Sequence, residues 1–194
     1  MLEKFITEVQ RFREFGDKYF GERSVIQSPN ELLGFSNVLL DMGKRDICLE
    51  IGLFHGGTHV FFKQFFAEVI SMEVDAQQCS KTGVALRAFG LDMNGSHLIC
   101  CNSHSDDAVA AVKDILNGAL LDCLFVDGGH DYASVKTDYE KFECLVRTGG
   151  VIAFHDAGSE EHMPGVFKFV GELMQDHAVD FVFDGYAGIG WFIK

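Results

Sequence analysis

Cations are scarce in this chain: 16 lysines and arginines stand against 29 aspartates and glutamates, leaving a formal net charge of -13 and a pI near 4.9. Affinity for nucleic acid comes largely from counterions that Lys and Arg displace from phosphates, so this balance opposes a polynucleotide partner. Proline is also rare. Only 2 occur in 194 residues, and with 47% hydrophobic residues this argues against disorder and for one domain, 1–194, with a sizeable core. No apolar run approaches the length of a bilayer span, and the start Met1-Leu-Glu-Lys-Phe5 has no basic segment leading into an apolar core. The expectation is a cytoplasmic protein with no membrane partner. The 6 cysteines (Cys48, Cys79, Cys100, Cys101, Cys123 and Cys144) contain no C-x-x-C pair, and several fall in predicted buried strands. They read as reduced core thiols, and no cysteine or histidine spacing suggests a zinc site. Internal repeats and low-complexity tracts are missing, as are the G-x-S-x-G and paired Cys/His signatures of hydrolases.

The stretch Asp46-Ile-Cys-Leu-Glu-Ile-Gly-Leu-Phe-His-Gly-Gly-Thr58 organises what is present. Ile47, Cys48, Leu49 and Ile51 suit a strand buried on both faces of a parallel sheet, and Glu50 sits where that strand should emerge. Gly52 permits a tight turn, and Gly56 with Gly57 permits close backbone approach at the mouth of a helix. A dinucleotide site would require G-x-G-x-x-G, so that a helix N-terminus approaches the pyrophosphate. Here the spacing is G-x-x-x-G-G, which makes an NAD-dependent oxidoreductase the weaker alternative. With Glu50 included the pattern is E-x-G-x-x-x-G-x-T, which resembles motif I of the class I S-adenosylmethionine-dependent methyltransferases. The resemblance implies that Glu50, Gly52, His55, Gly56 and Thr58 surround that cofactor. Its sulfonium and ammonium are cations, which an acid at the loop attracts.

Along the chain, apolar residues from Leu2 through Phe5, Ile6, Val9, Phe12 and Phe15 recur at helical spacing. Ser28-Pro29-Asn30-Glu31 is a capping box that launches a second helix to Gly43, and residues 1–45 read as an N-terminal helical cover. Phe61, Phe62, Phe65 and Phe66 form a helical core stripe. The second strand, Glu68–Asp75, ends in acids about twenty residues beyond Gly52, where Rossmann-like folds place a ribose-binding carboxylate. Glu73 is that candidate, and Asp75 reads as a helix cap. A helix over 76–89 precedes a third strand, 97–101, whose exit offers Asn102 and Ser103 either as adenine contacts or as turn residues, with Asp106 capping the next helix. Strands at 120–127 and 149–156 flank a helix over Ala133 to Arg147. A helix after Pro164 and two strands near 179–183 and 188–193, joined by Asp184-Gly-Tyr-Ala187, close the chain. So short a link implies an antiparallel pair. The predicted architecture is α/β: a Rossmann-like, seven-stranded, mostly parallel doubly wound sheet with an antiparallel C-terminal strand and N-terminal helices.

If the sheet is parallel, five loops converge at one edge: Glu50 to Thr58, Glu73, Asn102, Asp127 to His130, and His155 with Asp156. The runs V-D-G-G-H-D-Y (126–132), T-D-Y-E (137–140) and G-G-V-I-A-F-H-D (149–156) are similar to a widespread methyltransferase family. It includes metal-dependent sugar O-methyltransferases and proteins related to cephalosporin-modifying enzymes, and the similarity spans roughly residues 46 to 156. It implies a divalent metal at Asp127, His155 and Asp156, Asp127 beside the cofactor as well, and His130 as general base. A metal lowers the pKa of a substrate oxygen, and a histidine near neutrality accepts the proton. His155 departs from the Glu-Asp or Asp-Asn pair of the sugar enzymes. Oxygen ligands suit Mg²⁺, whereas an added imidazole favours Mn²⁺ and later metals. His55, His104 and His162 read as loop histidines rather than metal ligands. The expected activity is O-methylation of a small-molecule hydroxyl, with a non-catalytic S-adenosylmethionine-binding protein as the rival reading. The acceptor's identity and the oligomeric state, a homodimer included, stay open.

Overall fold

Ile47–Ile51 (β1) lies at the centre of the sheet because parallel neighbours hydrogen-bond it on both sides, β2 (Glu68–Glu73) and β4 (Leu121–Val126). The computed structural model describes residues 2–183 and 187–194, with side chains from residue 7 onward. With β3 (Ser96–Cys100), β5 (Val146–His155), β6 (Asp180–Val182) and β7 (Ile189–Ile193), the seven strands run in the order β3-β2-β1-β4-β5-β7-β6. Strands β1 to β5 are parallel, and β7 runs antiparallel to both β5 and β6. The chain moves outward from β1 to β3, then returns to β4 on the other side of β1. Loops leaving β1 and β4 therefore diverge, and a crevice opens at their carboxyl ends. The predicted link at Asp184-Gly-Tyr, and the side chains of Leu2, Phe5 and Ile6, lie outside the described residues.

Alternation along the strands fills two cores. Leu49, Ile51, Ile70, Met72, Leu124 and Ile152 face the layer of α5 (Asp106–Leu116), α6 (Tyr132–Phe142) and α7 (Pro164–Leu173). Cys48, Val69, Cys123, Phe125 and Val151 face the layer of α1 (Leu2–Phe20), α2 (Pro29–Asp41), α3 (Gly57–Phe62) and α4 (Ala76–Phe89). Phe125 packs its ring against Phe35 of α2 and Phe62 of α3, with centroids 5.8 and 5.2 Å away. Each fully buried ring of this kind contributes about 1.5–3 kcal/mol. The capping box forms as its sequence predicts: Ser28 Oγ accepts from Glu31 N and a Glu31 carboxylate oxygen accepts from Ser28 N. Asp75 caps α4 by accepting from Gln77 N and Gln78 N.

Three expectations need correction. Helix α6 stops at Phe142 rather than Arg147, a 3-10 turn covers Glu143–Leu145, and β5 begins at Val146. Val146 pairs with Leu121, and the Arg147 side chain donates to the buried Asp122 at 2.6 Å, which ties this stretch to the sheet instead of the helix. The cap of α5 is Ser105, whose hydroxyl accepts from Ala108 N, and not Asp106. Finally, not all cysteines are reduced. Cys79 on the first turn of α4 is bonded to Cys100 at the end of β3, with Cα atoms 5.7 Å apart. The helix lies on its neighbouring strand and brings together positions 21 residues apart, a proximity no local motif encodes. Cys48, Cys101, Cys123 and Cys144 are free, and Cys48 and Cys123 are buried.

Candidate active site

A cleft of about 950 Å³ opens over the carboxyl ends of the parallel strands. Its first wall is the loop after β1. Gly52 has φ +102°, and a Cβ there would lie 1.9 Å from the carbonyl oxygen of Asp127, so only glycine lets the β1 and β4 loops pass this closely. Phe54 takes a left-handed conformation (φ 45°) held from two sides. Its N–H donates to a Glu73 carboxylate oxygen at 2.9 Å, and its carbonyl accepts from Thr82 Oγ1 at 2.6 Å and Gln78 Nε2 at 3.1 Å. His55 is buried between the rings of Phe54 and Phe20, at centroid distances of 3.7 and 3.9 Å, and hydrogen-bonds the Arg23 carbonyl through Nδ1. Burial lowers its pKa. His55 thus clamps the loop to the segment that follows α1.

Glu50 behaves differently from an acid emerging at a strand end. It is 0% exposed and is not part of the cleft lining; its side chain turns under α3, where Ser71 on β2 donates to Oε2. Desolvation pushes its pKa up to about 8, against the opposing pull of the nearby Ser71 and Thr58 hydroxyls. Thr58 lines the cleft, so Glu50 meets the cleft through that hydroxyl. Gly52, His55, Glu73, Asn102, Ser103 and Asp127 do line it, whereas Gly56 sits behind as the left-handed cap of α3.

At the opposite end, β4 and β5 deliver a compact charged group. Asp127 Oδ1 lies 3.2 Å from His155 Nδ1, Asp156 Oδ1 lies 3.3 Å from the same nitrogen, and Asp156 Oδ2 lies 3.0 Å from His130 Nδ1. His155 is only 3% exposed. Burial works against its charge, yet Asp127, Asp156 and Glu31 outweigh this and hold its pKa well above the usual 6.5. Burial would raise the Asp156 pKa, but His130 and His155 pull it far down. By accepting a hydrogen bond from His130, Asp156 raises the imidazole pKa. Donor atoms of Asp127, His130 and Asp156 lie within 4.8 Å of one another, a spacing that suits one metal ion. His155 is not part of that group of three; it lies buried between the carboxylates, and His130 offers the nitrogen in the group.

The profile of a methyltransferase domain matches residues 49–157, from the middle of β1 to just beyond Asp156. The chain belongs to the methyltransferase domain family. An uncharacterized protein of Acanthamoeba polyphaga mimivirus is 27% identical over 132 residues, which cover 66% of this chain and 59% of that protein. This methyltransferase domain therefore spans about 59% of the length of that curated relative. Among solved structures, the O-methyltransferase from Bacillus cereus in complex with SAH is similar with a TM-score of 0.71 and 15% identity, over 97% of this chain and 91% of that one. An rRNA methylase from Streptococcus thermophilus gives a TM-score of 0.64 and 15% identity, over 88% and 98%. At these identities the likeness is one of fold.

Within the methyltransferase domain, Asn102 uses its side-chain oxygen to accept from His104 N at 3.0 Å, closing the turn that starts α5, and its amide nitrogen stays available to the cleft. His104 faces the buried Asp138 across 3.3 Å. Two site residues escaped the sequence reading. Gln27 Nε2 donates to Asp127 Oδ2 at 2.7 Å, across 100 residues of chain. Glu31, legible only as half of a capping box, also accepts from Gly188 N and lies 3.7 Å from His155 Nε2. No motif flags either, because both act through tertiary contact; the one available signal was a capping box beside a cover helix.

Proposed function

We propose that this methyltransferase domain transfers a methyl group from S-adenosylmethionine to a hydroxyl of a small molecule. The observation that carries the reading is the cleft itself, in which the glycine loop and Glu73 occupy one end and the His130–Asp156 pair the other. The residues fit the cofactor: Glu50 keeps an oxygen without a hydrogen-bond partner behind Thr58, and Glu73 stands at the second strand end with lone pairs for two ribose hydroxyls. S-adenosylmethionine supplies an electrophilic methyl on its sulfonium. Asp156 fixes the His130 imidazole by accepting from Nδ1, which leaves Nε2 to take the proton of an acceptor hydroxyl. The N-terminal segment from Arg23 to Glu31 lines the cleft, reaching from His55 at one end to His155 at the other.

A second reading adds a divalent ion, favoured by the convergence of Asp127, His130 and Asp156. Bound there, the ion would acidify the acceptor hydroxyl, and two carboxylates with one imidazole suit Mn²⁺ as well as Mg²⁺. Activity abolished by chelator, with cofactor affinity retained, supports the ion; full activity in chelator removes it.

Calorimetry with S-adenosylhomocysteine tests the main reading. Binding is expected, and Glu73→Ala should weaken it by about 1.5–3 kcal/mol through loss of hydrogen bonds to a charged group. Unchanged affinity in a folded variant would take Glu73 out of the site.

A further inference from the structure

Beneath the β1 loop runs a line of polar side chains of which the proposed chemistry uses only the last, Glu50. Ser96 on β3, His59 on α3, Ser71 on β2 and Glu50 on β1 stand in sequence: His59 Nε2 lies 3.0 Å from Ser96 Oγ, and His59 Nδ1 lies 2.8 Å from Ser71 Oγ. Ser71 donates its single hydrogen to Glu50. Its oxygen must then accept from His59, which places the imidazole proton on Nδ1 and makes Nε2 the acceptor of the Ser96 hydroxyl. Every hydrogen in the line therefore points toward Glu50. Burial pulls the His59 pKa down to about 3, so the imidazole is neutral and supplies no counter-charge.

Glu50 is thus a fully buried carboxyl with one oxygen satisfied by a neutral hydroxyl and the other, Oε1, without a hydrogen-bond partner. The titratable groups facing it from neighbouring elements are Glu73 at the end of β2 and Asp127 after β4, both like charges, with the neutral His59 behind Ser71. Cys48, two residues earlier on β1, is a buried thiol whose pKa burial raises, and it too is neutral. Such surroundings disfavour a carboxylate until a cation arrives. Thr58 stands between Glu50 and the cleft. A hydroxyl can reverse its role there, accepting from the protonated acid when the cleft is empty and donating to the carboxylate when a positive group lies on the cleft side.

We infer that Glu50 is a proton-linked specificity residue: it is neutral in the empty cleft and ionises when the ammonium of the cofactor's amino-acid moiety enters beside Thr58, so that the cation binds as the site releases a proton. The inference rests on the reading of the cleft as an S-adenosylmethionine site. It explains why a protein would keep a buried acid under the loop: the negative charge is created only against a ligand that carries the matching positive one. A nucleoside lacking that group leaves Glu50 neutral, so the site discriminates by charge as well as by shape.

Calorimetric titration of the full chain at pH 7, in two buffers of different ionisation enthalpy, counts the protons exchanged. S-adenosylhomocysteine should release about one proton per site, and its affinity should rise about tenfold per pH unit below the Glu50 transition. Adenosine should release none. Glu50→Gln should abolish the release and flatten the pH dependence. Ser71→Ala, which removes the hydroxyl favouring the ionised form, should move the rise in affinity to higher pH. Binding of S-adenosylhomocysteine with no buffer-dependent heat in the wild-type protein, or release that persists in Glu50→Gln or occurs equally with adenosine, overturns the inference while leaving the cofactor reading intact. Absence of any binding overturns both.

Discussion

His130 is half exposed at the cleft while its partner Asp156 is nearly covered, and this asymmetry defines what the pair can do. The carboxylate is held ionised by two histidines, so it can fix one tautomer of His130 without competing for the proton that the ring takes up. That stabilisation has a consequence for pH. Because Asp156 raises the imidazole pKa above 6.5, the free-base form that can accept a proton grows as pH rises through that raised value. Once an acceptor is found, kcat/KM should climb with pH through that value, and His130→Ala should lower kcat by about 10²- to 10⁴-fold with S-adenosylhomocysteine affinity nearly unchanged. A variant with near-native kcat at neutral pH would return His130 to the role of a loop residue. His155, by contrast, is enclosed by three carboxylates, Asp127, Asp156 and Glu31.

At the scale of elements, α4 and β3 form a unit that backs the β1 loop. Gln78 and Thr82 of α4 hold the Phe54 carbonyl, and the Cys79–Cys100 bond ties the same helix to the strand whose exit lines the cleft. Cross-linking positions 21 apart removes freedom from the unfolded chain, a contribution of about 3 kcal/mol. Cys79→Ser with Cys100→Ser should therefore lower the midpoint of denaturant unfolding and, by letting the unfolded chain expand, make its slope slightly steeper; an unshifted midpoint would mean that packing of α4 on β3 already supplies the constraint. This unit also shows where sequence reading succeeds and stops. Strands β1, β2 and β4 were legible because continuous apolar runs end in acids or glycines, and Asp75 and Ser28 were legible because capping is local. The disulfide, the descent of Glu50 under α3 and the contacts of Gln27 and Glu31 depend on which face a side chain takes once the sheet is assembled. Glu50 follows Cys48 onto the α3 face because strand period is two, and Ser71 is its register partner on β2. The acid spacing alone could not reveal that.

Across the whole molecule, the titrating groups pull stability in opposite directions as pH changes. Glu31, Asp122 and Asp156 have pKa values below the ordinary carboxylate range, since burial, which opposes ionisation, is outweighed: His155 and the Ser28 N–H act on Glu31, Arg147 and the N–H groups of Ile47 and Asp46 on Asp122, and His130 with His155 on Asp156. Their folded forms bind protons less readily than the unfolded chain, so the stability they contribute is present above about pH 4 and is lost as pH falls through their depressed values. Glu50 and His155 act with the other sign. Desolvation raises Glu50 from 4.5 to about 8, so the folded state holds a proton that the unfolded chain releases, and its contribution is present below 4.5 and declines as pH rises toward 8. His155 resists desolvation through its three carboxylates, and its contribution is complete below 6.5 and lost above its raised value. Thermal unfolding of the ligand-free protein should thus show greatest stability on the acidic side of neutrality, with a steep fall below about pH 4 and a gradual fall toward pH 8 and beyond. Glu50→Gln should remove the part of the alkaline decline that begins near 4.5 and leave the part due to His155. S-adenosylhomocysteine should shift the optimum upward, since a ligand that favours ionised Glu50 stabilises the folded state most where that ionisation costs least. A melting temperature that keeps rising from pH 5 to pH 9 without ligand would contradict the burial of a protonated Glu50.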